Sequence, residues 1–216
     1  MNDVTEAFTN AAQAVVDQHI TGSQGQRTAL RFGDKRYTFH DLAAIANRVG
    51  NMLKRLSVKP GRHVAVAVPE SPAYVATILG AMKIGAVPAV LTGAIDRAAL
   101  TEVRAATDPA LVVIHQDKLP TLELGATSPN EVVVVGQDAG AYASFLELVR
   151  EEPSSLSSAR MEADAAALAL FDGSSVQTVK HGELIEIFAR KAAVVGSSRP
   201  LELLLSLANG DEVVLG

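Results

Sequence analysis

Cysteine and tryptophan are both absent from the 216-residue chain, and Phe, Tyr and Trp together make up only 4% of it. Without cysteine there are no disulfides and no thiolate chemistry, which fits a reducing compartment. A core poor in aromatics but 48% hydrophobic is built from Ala, Val, Leu and Ile, the composition of a buried parallel sheet between helices rather than an aromatic sandwich. No run of five or six like charges interrupts the net charge of −5, so a basic nucleic-acid surface is not expected. No apolar stretch reaches the roughly 20 residues that span a bilayer. Met1–Ile20 carries Asp3, Glu6 and Asp17 where a secretory leader would carry a basic start and an apolar run. The expectation is a cytoplasmic protein that engages neither membrane nor nucleic acid. G-x-G-x-x-G after a strand is missing, and so is G-x-S-x-G, which argues against a dinucleotide-binding domain and a serine hydrolase. His40, His63, His115 and Asp117 form no ligand cluster at helical spacing, and no metal site is expected.

What remains alternates helix with strand. Val4, Phe8, Ala11, Val15, Val16 and Ile20 predict an amphipathic helix over residues 3–20. Thr28–Phe32 and Arg36–Phe39 flank Gly33-Asp34 as a short hairpin. Thr38 and Asp41 form a capping box ahead of an apolar face from Leu42 to Leu56, and Pro60-Gly61 turns the chain. His63–Val68 then reads as a strand, Ser71-Pro72 as a helix start, Gly85 as its stop and Ala86–Leu91 as the next, parallel strand. Further on the pattern gives helix at 97–106, strands at 110–115 and 131–135, and helix at 142–150. A Ser/Glu/Pro surface connector at 151–163, strand at 165–171 and a Gly/Ser turn follow. Helices at about 183–195 and 201–208 and a strand at 212–215 complete the chain. The expected fold is a single α/β domain over residues 1–216, three-layered, with one mostly parallel sheet flanked by helices and a short N-terminal hairpin.

Tyr37-Thr38-Phe39, Asp41-Leu42, Ala46-Asn47-Arg48, Lys59-Pro60-Gly61, Val64-Ala65, Pro69-Glu70-Ser71-Pro72 and Ala81-Met82-Lys83-Ile84-Gly85-Ala86-Val87 follow one another in a fixed order and spacing. Together they resemble the opening of the N-terminal domain of the acyl-adenylate-forming superfamily, the acyl-CoA synthetases and adenylation domains. Leu203-Leu204 through Gly210 to Val213-Val214-Leu215 resembles a later helix–strand pair of that family. The resemblance implies the family's α/β scaffold, and it implies where a phosphate loop follows the strand at 165–171. There the family reads approximately [YS]-T-S-G-[ST]-T-G-x-P-K-G-V, whose glycines, hydroxyls and Lys wrap ATP phosphates. This chain has Phe171-Asp172-Gly173-Ser174-Ser175-Val176-Gln177-Thr178-Val179-Lys180-His181. One glycine stands where three belong, P-K-G is missing, and Asp172 brings a like charge. At roughly 4 Å and an effective dielectric near 20, such a charge repels another by about 4 kcal/mol.

The candidate ligand residues are therefore Gly173, Ser174, Ser175, Thr178, Lys180 and His181, as a degenerate phosphate loop. Two readings stand side by side. Gly173-Ser174-Ser175 is a remnant anion nest or an ordinary βα turn whose hydroxyls cap the next helix. His181 is a remnant acyl-pocket residue or a polar residue at a helix start, and Lys180 is most simply a solvated cation. The resemblance further implies an acyl-pocket insertion between His181 and Leu203, adenine and ribose motifs, and a mobile C-terminal domain with a catalytic Lys. None has a counterpart in these 216 residues. The expectation is a truncated, non-catalytic relative with no cofactor of its own, a pseudoenzyme scaffold that pairs with a second copy (a homodimer) or a companion protein. The alternative is one subunit of a split ligase, in which case ATP, magnesium and CoA enter.

Overall fold

The computed structural model describes residues 9–121, 131–190 and 198–216. The first part of the helix expected at 3–20 and the far end of that expected at 183–195 lie outside the described residues. The expected mostly parallel sheet flanked by helices and the expected N-terminal hairpin are both present, and the hairpin belongs to a second, smaller sheet. In chain order the first elements are a π-helical turn Gln13–Asp17 running into α1 (Gln18–Thr21), β1 (Thr28–Phe32), β2 (Lys35–Thr38) and α2 (Phe39–Arg55). Then come β3 (His63–Ala67), α3 (Pro72–Lys83), β4 (Val87–Leu91), α4 (Arg97–Thr107), β5 (Leu111–His115) and β6 (Val132–Val135). The remainder is β7 (Ala143–Ser144), α5 (Phe145–Glu151), β8 (Ala166–Phe171), β9 (Val176–Lys180), α6 (His181–Arg190), α7 (Arg199–Ala208) and β10 (Val213–Leu215).

The larger sheet has seven strands in the order β7-β6-β5-β3-β4-β8-β9. All neighbours are parallel except β8 and β9. The smaller sheet, β10-β1-β2, pairs β10 parallel to β1, with Leu30 opposite Val213. The C-terminal strand therefore joins the N-terminal hairpin instead of extending the main sheet. Pairing across almost the whole chain leaves no trace in local periodicity, which is why the partner of the last strand was not legible in the sequence.

Alternation along the central strands sends Val64, Val66, Val113, Leu168 and Leu170 to one face and Ala65, Ala67, Val112, Ile114 and Ala169 to the other. The second face is closed by Leu100 and Val103 of α4. On the first lie α2 and α3, whose closest approach is set by two glycines. A Cβ on Gly80 would stand 2.9 Å from the Ala46 carbonyl and from the Gly50 nitrogen. Local chemistry sets the helix ends. Thr38 and Asp41 exchange side-chain-to-backbone hydrogen bonds at the start of α2 (2.9 and 3.1 Å), and Ser71 caps α3 ahead of Pro72. At the other end of α3, Gly85 takes φ +75°, with its N–H on Met82 O and that of Ala86 on Ala81 O.

Candidate functional site

Ligands of open parallel sheets sit outside the carboxyl ends of the strands. Here that position lies beyond Leu91 of β4 and Phe171 of β8, whose ends are tied by Thr92, its N–H and hydroxyl both donating to the Phe171 carbonyl (2.9 and 3.1 Å). A cleft of about 210 Å³ opens there, lined by Gly93, Asp96, Glu102, Phe171, Asp172 and Gly173 among others. It is smaller than the roughly 300–1,000 Å³ of ordinary small-molecule pockets, and three of its lining side chains are carboxylates.

The turn after β8 corrects the sequence reading. The next element is a strand, not a helix. Residues 172–175 close a hairpin, with Phe171 opposite Val176 and Ala166 opposite Lys180. The strand β9 was invisible because it is an edge strand: Gln177, Thr178 and Lys180 are exposed and Val179 is its one buried side chain. Within the turn the serine hydroxyls cap no helix. Asp172 Oδ1 accepts the backbone N–H groups of Ser174 and Ser175, each at 2.9 Å, and the Ser174 hydroxyl at 2.9 Å. The two amide bonds, aided by the hydroxyls, hold the Asp172 carboxyl down at about 2. Gly173 supplies the φ of +99° that this wrap requires. The amides that would cradle an outside anion thus already hold an inside one. Across the cleft the start of α4 is filled in the same way, Asp96 Oδ1 accepting the Ala99 N–H at 2.9 Å.

The other candidate residues are not gathered here. β9 runs away from the turn for five residues, so at about 3.3 Å per residue Lys180 and His181 stand roughly 15 Å from Asp172. The Lys180 side chain is exposed, and its backbone N–H donates to Glu183 Oε2 at the start of α6 (3.0 Å). His181 is fully buried. Its Nδ1 accepts the Ala11 N–H at 3.0 Å, which places the proton on Nε2, an atom with no hydrogen-bond partner among the described residues. Burial pushes its imidazole down to about 4. Gly173, Ser174 and Ser175 therefore form one turn, Thr178 lies on the edge strand, and Lys180 and His181 belong to the opposite end of the sheet. Asp96 and Glu102, which share the cleft with Asp172, were not singled out in the sequence; an Asp before a helix marks a cap, but its approach to the turn depends on β4 and β8 being neighbours.

A second cavity of about 500 Å³ lies between the N-terminal helix, α6 and α7, against His19, Phe188 and Asn209. His19 donates from Nε2 to the Leu207 carbonyl at 2.9 Å, and burial lowers its pKa. Among the described residues no group of three or more His, Asp or Glu side chains suits a metal ion. Nor is any described helix long and apolar enough to cross a membrane.

A seven-stranded, mostly parallel sheet flanked by helices matches the fold of the adenylating N-terminal domain. The sequence matches the family described as AMP-binding enzyme over residues 17–173, the match ending inside the hairpin turn, and the chain belongs to that family. An acetyl-coenzyme A synthetase of Bacillus subtilis (strain 168) is 31% identical over 187 residues, 79% of this chain and 32% of its own. A 3-hydroxybenzoate–CoA/4-hydroxybenzoate–CoA ligase of Thauera aromatica is 28% identical over 177 residues, 75% of this chain and 32% of its own. Among solved structures, a benzoate CoA ligase from Burkholderia xenovorans LB400 superposes with a TM-score of 0.82 at 17% identity, over 96% of this chain and 45% of that one. The chain thus spans about a third of the length of these curated relatives.

Proposed function

We propose that this chain is a non-adenylating member of its family, a scaffold that binds a second copy of itself or a companion protein and does not activate a carboxylic acid. One observation carries the reading: the Asp172 carboxylate sits on the Ser174 and Ser175 amides, where a phosphate loop would present free N–H groups. The four-residue turn supplies no lysine, and Asp96, Glu102 and Asp172 give the cleft a sign that opposes a triphosphate. Adenylation needs carboxylate, nucleotide and a cationic group held together, and Lys180 stands at the wrong end of β9. A cytoplasmic location and the absence of a resident cofactor belong to the same reading.

A second reading rests on the family match over residues 17–173 and on the cleft at the carboxyl ends of β4 and β8, where ligands of open parallel sheets sit. On that reading the chain is one subunit of a split acyl- or aryl-CoA ligase, and ATP, magnesium and CoA bind only in the complex. Pyrophosphate exchange with acetate, benzoate and a fatty acid separates the two. The scaffold reading expects background exchange with the chain alone and with co-purifying protein added back. Exchange by the chain alone overturns it, and exchange only on add-back establishes the split ligase.

A further inference from the structure

Among the described residues, Lys83 is the one lysine that is fully buried, at 1% exposure. Its ammonium donates to Asp17 Oδ1 at 2.5 Å, on the N-terminal helix, and to Asn47 Oδ1 at 2.7 Å, on α2. The other oxygen of Asp17 accepts the Ser158 hydroxyl at 3.2 Å, and the other end of Asn47 donates to the Ser154 carbonyl at 2.8 Å. The Lys83 carbonyl accepts the Ala159 N–H at 2.7 Å. One residue earlier on α3, Met82 O accepts from Asn10 Nδ2 (2.7 Å), which also donates to Ala159 O (3.1 Å). The segment 152–160, polar and largely exposed, therefore has its inner side tied to the same buried ammonium as the N-terminal helix.

We propose that Lys83 is a latch joining the N-terminal helix and the 152–160 strap into one cooperative unit, so that releasing either releases the other. The physical ground is the cost of leaving a buried ammonium without its carboxylate, which greatly exceeds the loss of any one neutral hydrogen bond. When the helix lifts, Asp17 leaves, Ser158 loses its acceptor and Asn10 leaves Ala159. The only remaining side-chain oxygen on the ammonium is that of Asn47. The unit also reaches the candidate loop's strands. Ala11 of the helix holds His181, and Gly182 N–H donates to the Ala163 carbonyl just beyond the strap at 2.8 Å. The latch thus sits over the end of the β8–β9 hairpin away from its turn.

Hydrogen exchange on the full chain tests this. In D17N, amide exchange is expected to rise about tenfold or more both in residues 10–21 and in residues 154–160, more than 130 positions away. In R48A, which removes the donor to Arg150 O and Glu152 O, the rise is expected at 150–153 without any change in the N-terminal helix. The double variant D17N/K83M removes both charges and is expected to return both segments to within about threefold of wild type. Should D17N alone fail to fold, rescue by K83M supports the latch. Faster exchange confined to residues 10–21 in D17N, or a double variant as exposed as the single, overturns it.

Discussion

Asp172 and His181 sit at the two ends of one β-hairpin, one at its turn and one just past its last strand. Asp172 accepts the backbone N–H groups of its own turn. Replacing it with Ala is expected to speed exchange at the Ser174 and Ser175 amides severalfold while leaving thermal unfolding nearly unchanged, since the turn is exposed. A pH titration of the Asp172 carboxyl by NMR is expected to report a midpoint near 2. His181, read in the sequence as a remnant acyl-pocket residue or a polar residue at a helix start, stands at the start of α6, where its Nδ1 accepts the Ala11 N–H of the N-terminal helix. Its folded pKa lies below the unfolded value, so protonation favours the unfolded chain. Its contribution is complete above pH 6.5 and is lost as the pH falls towards about 4. The steepest loss is about 1.4 kcal/mol per pH unit, on the order of 3 kcal/mol in all. Burial lowers His19 and His63 too, so the test is the difference between wild type and H181Q in urea unfolding from pH 7.5 to 4. H181Q keeps an acceptor and does not titrate, and its profile is expected to be flatter by that amount.

Among the elements, those governed by neighbours in sequence were legible and those governed by distant partners were not. The capping box at Thr38 and Asp41, the Ser71-Pro72 start and the Gly85 stop are short-range chemistry, and each stands in the structure where the sequence placed it. Thr38→Ala is expected to cost about 1 kcal/mol in denaturant unfolding. Gly80→Ala is expected to cost more, about 1–3 kcal/mol, because the added methyl meets backbone of α2 that cannot move aside. The β9 strand escaped notice because an edge strand needs few apolar residues. Similarly, Lys83 read as one letter of a motif, since burial of a lysine becomes visible only when Asp17 and Asn47 converge on it. The candidate loop itself was legible as a departure from its family. Its filling by Asp172 was half legible, in charge but not in geometry.

For the molecule as a whole, the structure has the seven-stranded, mostly parallel sheet flanked by helices of the adenylating domain. The central strands of the larger sheet are buried on both faces, and the larger core cluster runs from Ala11 to Leu215. The chain has a few exposed apolar side chains as well, Leu146 at 57% and Val214 at 60%. Light scattering of the purified protein is expected to give a mass above the 22.6 kDa of one chain; a monomer at micromolar concentration counts against self-association and shifts the search to a companion. The most direct measurement is calorimetric titration of magnesium-ATP into the wild-type chain. The expected result is no saturable heat, because the amides of the loop already hold the Asp172 carboxylate. Saturable binding at micromolar ATP would contradict the proposal that this member of the family has given up the nucleotide.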